Sequence, residues 1–118
     1  MNGILVLAHG SREKATEETF QKVVTMAAEQ VKLPVETAYM EFGYPNIAAG
    51  LDQLVAQGVT HIRVVPYFLF SGIHIQEDIP GELEEYRKEH PQVTLEMGET
   101  LGADPRLAAV LADRMMGK

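Results

Sequence analysis

The chain has 118 residues, no cysteine and a net charge of −7, with 46% hydrophobic and 23% charged residues. That size predicts one domain, residues 1–118, which buries roughly two-thirds of its unfolded surface and needs no disulfide or structural metal to fold. The missing thiol excludes thiolate catalysis, iron–sulfur clusters and cysteine zinc sites and suits a reducing cytoplasm, while the acidic balance argues against nucleic acid and anionic membrane as partners.

Gly3 to Ala8 is a continuous apolar run, the pattern of a strand buried on both faces. It is too short, and lacks the basic flank, for a secretory signal. His9-Gly10-Ser11 is the turn that follows, with Ser11 expected to cap a helix. Phe20, Val23, Val24, Ala27 and Val31 recur at helical spacing and predict its sheet-facing stripe. Leu33-Pro34 ends it.

Val35 to Met40 predicts a second strand ending at Glu41. Pro45 suits the first turn of a second helix, whose buried stripe is Ile47, Leu51, Leu54 and Val55, and Gly58 stops it. His61 to Pro66 is a third strand, β-branched and apolar. Tyr67 to Ile75 is a long apolar and aromatic connection leading into an acidic helix over Gln76 to Glu89, with Ile79, Leu83 and Tyr86 on one face. Val93 to Glu96 predicts a short fourth strand. Asp104-Pro105 opens a last helix carrying Leu107, Val110, Leu111 and Met115. The βαβαβαβα order implies an α/β fold, a four-stranded parallel sheet with helices on both faces and right-handed crossovers. No apolar run approaches the roughly 20 residues of a membrane span.

In such sheets ligands bind beyond the carboxyl ends of the strands. His9, Glu41 and His74 each fall at or after a predicted strand end, and two imidazoles with a carboxylate make an open site for a divalent transition metal. Each has a plainer reading. His9 could cap its turn. Glu41, between Met40 and Phe42 and so expected to be partly desolvated, reads alone as a helix cap or a partner of Arg12 or Arg63. His74 alone reads as a core histidine, although long connections at this edge are usually binding loops. Asp78, one turn on, could orient its imidazole. His61, at the far end of a strand, and His90, at a helix C-terminus, read as structural. Ser11, Arg12 and Lys14 crowd the first helix's N-terminus, which favours anions. Phe68 and Phe70 could wall a flat ligand or lie in the core.

Competing α/β readings fail on chemistry. The acidic residues of a receiver domain, the Ser/Thr-rich loop of a flavodoxin and the G-x-G-x-x-G of a dinucleotide fold are missing. A histidine phosphatase would carry arginine where Ala8 stands, and so would lose its main phosphate clamp.

Three segments together carry a resemblance: Leu7-Ala8-His9-Gly10-Ser11-Arg12, Met40-Glu41-Phe42 with Pro45, and Val64 to His74 followed by Asp78-Ile79-Pro80. In order, spacing and strand placement they resemble the short, CbiX-type sirohydrochlorin chelatases, over nearly the whole chain. That resemblance implies a chelatase-like, flavodoxin-related fold and ATP-independent insertion of a divalent metal into sirohydrochlorin, in cobalamin or siroheme synthesis. It implies His9 and His74 as metal-binding and catalytic histidines, with Glu41 as the carboxylate. Ser11, Arg12, Phe68, Phe70, Ser71 and Gly72 would meet substrate, with Asp78 behind His74. It also implies a homodimer enclosing the tetrapyrrole, and no cofactor beyond the substrate metal. A histidine-rich loop of the kind associated with nickel is absent, which favours cobalt or iron. A metal or tetrapyrrole carrier that binds without turnover is the rival reading.

Overall fold

The computed structural model describes the backbone of residues 1–118 and every side chain except those of His74 and Ile75. Four strands, β1 (Asn2–Ala8), β2 (Val35–Tyr39), β3 (His61–Pro66) and β4 (Thr94–Met97), form one sheet in the order β2-β1-β3-β4, and every neighbouring pair is parallel. The helices between them are α1 (Lys14–Val31), α2 (Ile47–Ala56) and α3 (Ile79–Glu89), and α4 (Pro105–Met115) follows β4. A π-helical turn, His74–Asp78, leads into α3. This is the α/β class expected from the alternating pattern.

The reversal of strand order at β1 puts helices on opposite faces. On one face α2 and α3 bury Ile47, Leu51, Leu54, Ile79, Leu83 and Tyr86 against Leu5, Leu7, Ile62 and Val64. Gly50 lets α2 approach closely: a Cβ there would lie 2.8 Å from Leu5 Cδ1 and 3.0 Å from the Ala38 Cβ. On the other face α1 buries only Phe20 and Val24 fully, over Tyr39, Val6, Ala8, Val35 and Tyr67. The Phe20 ring meets Tyr39 edge-on at 5.7 Å and lies 5.2 Å from the Tyr67 ring.

Several expectations are corrected. Ala27 and Val31 do not face the sheet; both are exposed, because the covered stripe of α1 ends with its partners on β1 and β2. The Ser11 hydroxyl accepts a hydrogen bond from the Glu13 amide at 3.0 Å, but α1 starts at Lys14, so Ser11 organises the turn before the helix rather than capping it. Pro45 lies outside α2. Its peptide bond to Tyr44 is cis, its carbonyl accepts from the Tyr39 amide at 2.9 Å, and Asn46 caps the helix through Ala49 N–H at 2.9 Å. β4 ends at Met97, one residue later than expected, because Val64 pairs with it.

Candidate functional site

The carboxyl edge of the sheet gathers the ends of β1, β2 and β3. Beyond the last ladder pair, the Met40 amide donates to the Ala8 carbonyl at 3.0 Å and the Glu41 amide to the His9 carbonyl at 2.8 Å. The two chains therefore run side by side one residue past the sheet, and His9 and Glu41 emerge as neighbours. Gly10 makes that approach possible. Its φ is +100°, and a Cβ there would fall on the Glu41 carbonyl oxygen.

The side chains meet. His9 Nε2 lies 3.5 Å from Glu41 Oε2, with both side chains 52% exposed. His9 Nδ1 lies 3.4 Å from the Gly10 carbonyl oxygen. The tautomer protonated on Nδ1 leaves the Nε2 lone pair available to a cation shared with Glu41. An ion bound tetrahedrally at ordinary N and O bond lengths needs donors about 3.4 Å apart, so the pair is spaced to share one.

Among the described residues Glu41 neither caps a helix nor pairs with an arginine. Arg63 donates to Glu96 at 2.6 Å, and the Arg12 guanidinium sits 4.7 Å from the centroid of the Phe42 ring. The Glu41 carboxylate is half exposed, and the Phe42 that follows it takes the left-handed region, φ 54°, and is itself exposed.

The Tyr67 amide donates to the Leu7 carbonyl at 2.7 Å, which brings the connection after β3 beside the β1 exit. Phe68 is half-buried, whereas Leu69, Phe70, Ser71 and Gly72 are exposed. The far side of this connection is tied to the segment after β4, through Leu101 N–H to Phe68 O at 2.9 Å and Gly102 N–H to Leu69 O at 3.1 Å. The His74 side chain lies outside the described residues. Asp78, exposed, stands where the π-helical turn passes into α3, and buried Ile79 anchors that junction. Among the described residues, no group of three or more ligand-type side chains is placed to hold an ion.

Two of the four histidines are removed from the site, as expected. His61 lies 3.7 Å from Glu96 at the opposite sheet end, and His90 stacks on Tyr86 at 3.9 Å with its Nδ1 2.9 Å from the Tyr86 carbonyl oxygen. Sequence reasoning missed Gly10 and Phe42. The signal for Gly10 was its place in a turn between a strand and a charged helix start; nothing in the sequence announced that Arg12 would lie over Phe42.

A family model, CbiX, matches residues 3–117. The chain belongs to the CbiX family. A Sirohydrochlorin cobaltochelatase of Sulfurisphaera tokodaii is 32% identical over 98% of this chain and 92% of its own length. A Sirohydrochlorin ferrochelatase of Priestia megaterium is 30% identical over 98% of this chain, yet the CbiX chain spans only 44% of that relative. The crystal structure of the sirohydrochlorin chelatase SirB from Bacillus subtilis subspecies spizizenii, in complex with cobalt, superposes with a TM-score of 0.93 at 29% identity, over 98% of this chain and 50% of SirB. The fold and family expected from the sequence are borne out.

Proposed function

We propose that this chain inserts a divalent metal, Co2+ or Fe2+, into sirohydrochlorin without ATP. The observation that carries the reading is the His9–Glu41 pair, 3.5 Å apart at the open carboxyl edge of the sheet, in a chain similar to cobaltochelatases and ferrochelatases.

The chemistry follows from the donors. A metal that must leave again is better served by a few nitrogen and oxygen ligands with open positions than by a closed thiolate cage. His9 and Glu41 supply two such donors, and His74, whose side chain lies outside the described residues, is assigned as the third by the sequence motif alone. As the ion enters the macrocycle, two pyrrole N–H bonds break and their protons leave, so the dication replaces two protons. A neutral imidazole accepts one of them, and water takes the other. Phe42, next to Glu41, and Phe70, in the connection after β3, expose their rings, which suit the flat face of a tetrapyrrole. In this reading Arg12, 4.7 Å from the Phe42 ring centroid, meets its carboxylates, Ser11, Phe68, Ser71 and Gly72 meet the macrocycle, and Asp78 is assigned to orient His74. The absence of cysteine fits a cytoplasmic setting. Substrate, metal and a second copy of the chain are the partners this reading requires.

Turnover decides between this function and a carrier. Sirohydrochlorin in tenfold or greater excess over protein, mixed with Co2+ or Fe2+ and followed by absorbance, is metallated to completion by an enzyme. Metallation that stops at one equivalent per site would establish the carrier instead.

A further inference from the structure

Phe42 holds φ 54°, in the left-handed region, although its side chain is bulky and 53% exposed. An L residue is strained there, and phenylalanine lacks the short polar side chain with which asparagine or aspartate eases that conformation. A glycine stands one position on, but another contact requires it: a Cβ on Gly43 would lie 2.8 Å from Cδ2 and 2.9 Å from Cγ of Tyr39. Burial does not account for the strained ring either, since it is exposed. Strained residues of this kind cluster at active sites and ligand clamps. The contact that the conformation makes here is with Arg12, whose guanidinium carbon lies 4.7 Å from the ring centroid, within cation–π range.

Arg12 differs from the other arginines. Arg63, Arg87 and Arg106 donate to Glu96, Glu84 and Asp104, and Arg114 donates to the Lys118 carbonyl. Arg12 is exposed, and among the described residues its guanidinium makes no hydrogen bond or ion pair. That is unexpected in a chain whose acidic residues outnumber its basic ones 17 to 10. A contact with a ring uses none of the guanidinium N–H donors, so the fork stays available to an acceptor from outside. Its place is beside the metal pair. Arg12 lies on the turn that carries His9, and Phe42 follows Glu41, so the Arg12–Phe42 contact bridges the same two turns as the His9–Glu41 pair.

Resting on the proposed sirohydrochlorin site, we infer that Phe42 is a positioning residue: it holds Arg12 ready for the carboxylates on the macrocycle rim. The pair thereby selects a tetrapyrrole rich in rim carboxylates over one with few. An arginine on a free stem loses rotamer entropy when it engages an anion. Fixing it beforehand against a ring lowers that loss and raises affinity. The strain at Phe42 aims the ring, because a residue relaxed to negative φ would direct its Cβ elsewhere.

Metal-free porphyrins test this without turnover. Fluorescence titration with uroporphyrin, an octacarboxylate, and deuteroporphyrin, a dicarboxylate, reads affinity directly. Wild type should prefer the octacarboxylate. Phe42→Leu should weaken that binding about three- to fivefold, the size of one exposed cation–π contact, and Phe42→Tyr should restore it. Arg12→Gln should weaken it at least about tenfold. The dicarboxylate should change less than about twofold in each. Phe42→Gly separates positioning from structure. It removes the strain, so its urea midpoint should hold or rise, while octacarboxylate affinity falls as in Phe42→Leu. Equal losses on both porphyrins would mean that the ring stacks on the macrocycle directly, and would overturn the inference. A Phe42→Gly variant that binds like wild type, or one that loses stability and binding together, would overturn it as well. In those cases binding by wild type leaves the proposed substrate class standing. A wild type that binds neither porphyrin would overturn both, with metal insertion judged separately by the turnover assay.

Discussion

His9 and Glu41 are locked together twice, by the Glu41 amide on the His9 carbonyl at 2.8 Å and by side chains whose Nε2 and Oε2 stand 3.5 Å apart. The backbone bond is the reason the side-chain pair exists at all. It extends the parallel pairing of β1 and β2 past the sheet, so two residues 32 positions apart deliver donors to one point without a helix or a loop having to fold over them.

Gly10 is the hinge of that lock. Gly10→Ala forces an L residue to φ +100° with its Cβ on the Glu41 carbonyl, and should cost at least about 2 kcal/mol of stability. Urea unfolding measures the cost, and Co2+ titration should show weaker binding in parallel. A variant as stable as wild type would mean that the two chain segments do not approach each other this closely.

Glu41→Gln keeps shape and removes charge. Because the carboxylate is half exposed, stability should change by less than about 0.5 kcal/mol. Affinity for Co2+ should fall at least about tenfold, the scale on which a metal's coordination environment is felt. Calorimetric titration of the two proteins separates these effects, and unchanged affinity would remove Glu41 from the metal site.

Gly50→Ala sets propensity against packing. Alanine gains about 1 kcal/mol of helix propensity over glycine, but its methyl must displace Leu5 and Ala38, which lie 2.8 and 3.0 Å from the Cβ position in the fully packed core. Overpacking costs roughly 1–3 kcal/mol, so the variant should be less stable than wild type. A rise in the urea midpoint would show that α2 can move off the sheet freely.

Tyr86 donates to Asp52 at 2.7 Å from a buried position, and burial, then that bond and the carboxylate's charge, hold the phenol's pKa far above its ordinary value. A pKa raised on folding favours the protonated form. The hydroxyl therefore contributes stability below the unfolded value near 10, and the contribution fades as pH rises above it. Tyr86→Phe should cost about 1 kcal/mol at neutral pH. The gap from wild type should narrow between roughly pH 10 and 11. Urea midpoints of both proteins across that range test the sign: a gap that widens with pH contradicts it.

The elements legible in the sequence were those whose residues decide locally. β1 and β3 are apolar runs that no helix would explain, and Asp104-Pro105 announces α4, with the Asp104 carboxylate accepting from the Arg106 amide at 2.8 Å. What stayed hidden depends on distant partners. Ala27 and Val31 carry the period of a buried stripe, but the sheet beneath them runs out. The stripe of α4 reads as core, yet none of its residues is fully buried. At the site, strand ends placed His9 and Glu41 on one edge, while their partnership required the β1–β2 register, which no single segment encodes. Arg12 could not be assigned away from Glu41 until Phe42 was seen in the left-handed region beneath it.

The proposed activity is metal insertion at the His9–Glu41 edge. Its most direct test is the initial rate of sirohydrochlorin metallation by Co2+, compared among the spontaneous reaction, wild type and His9→Ala. Wild type should accelerate the reaction, and His9→Ala, with circular dichroism unchanged, should lose at least about 100-fold of that acceleration. No acceleration by wild type, or full acceleration by His9→Ala, would contradict it.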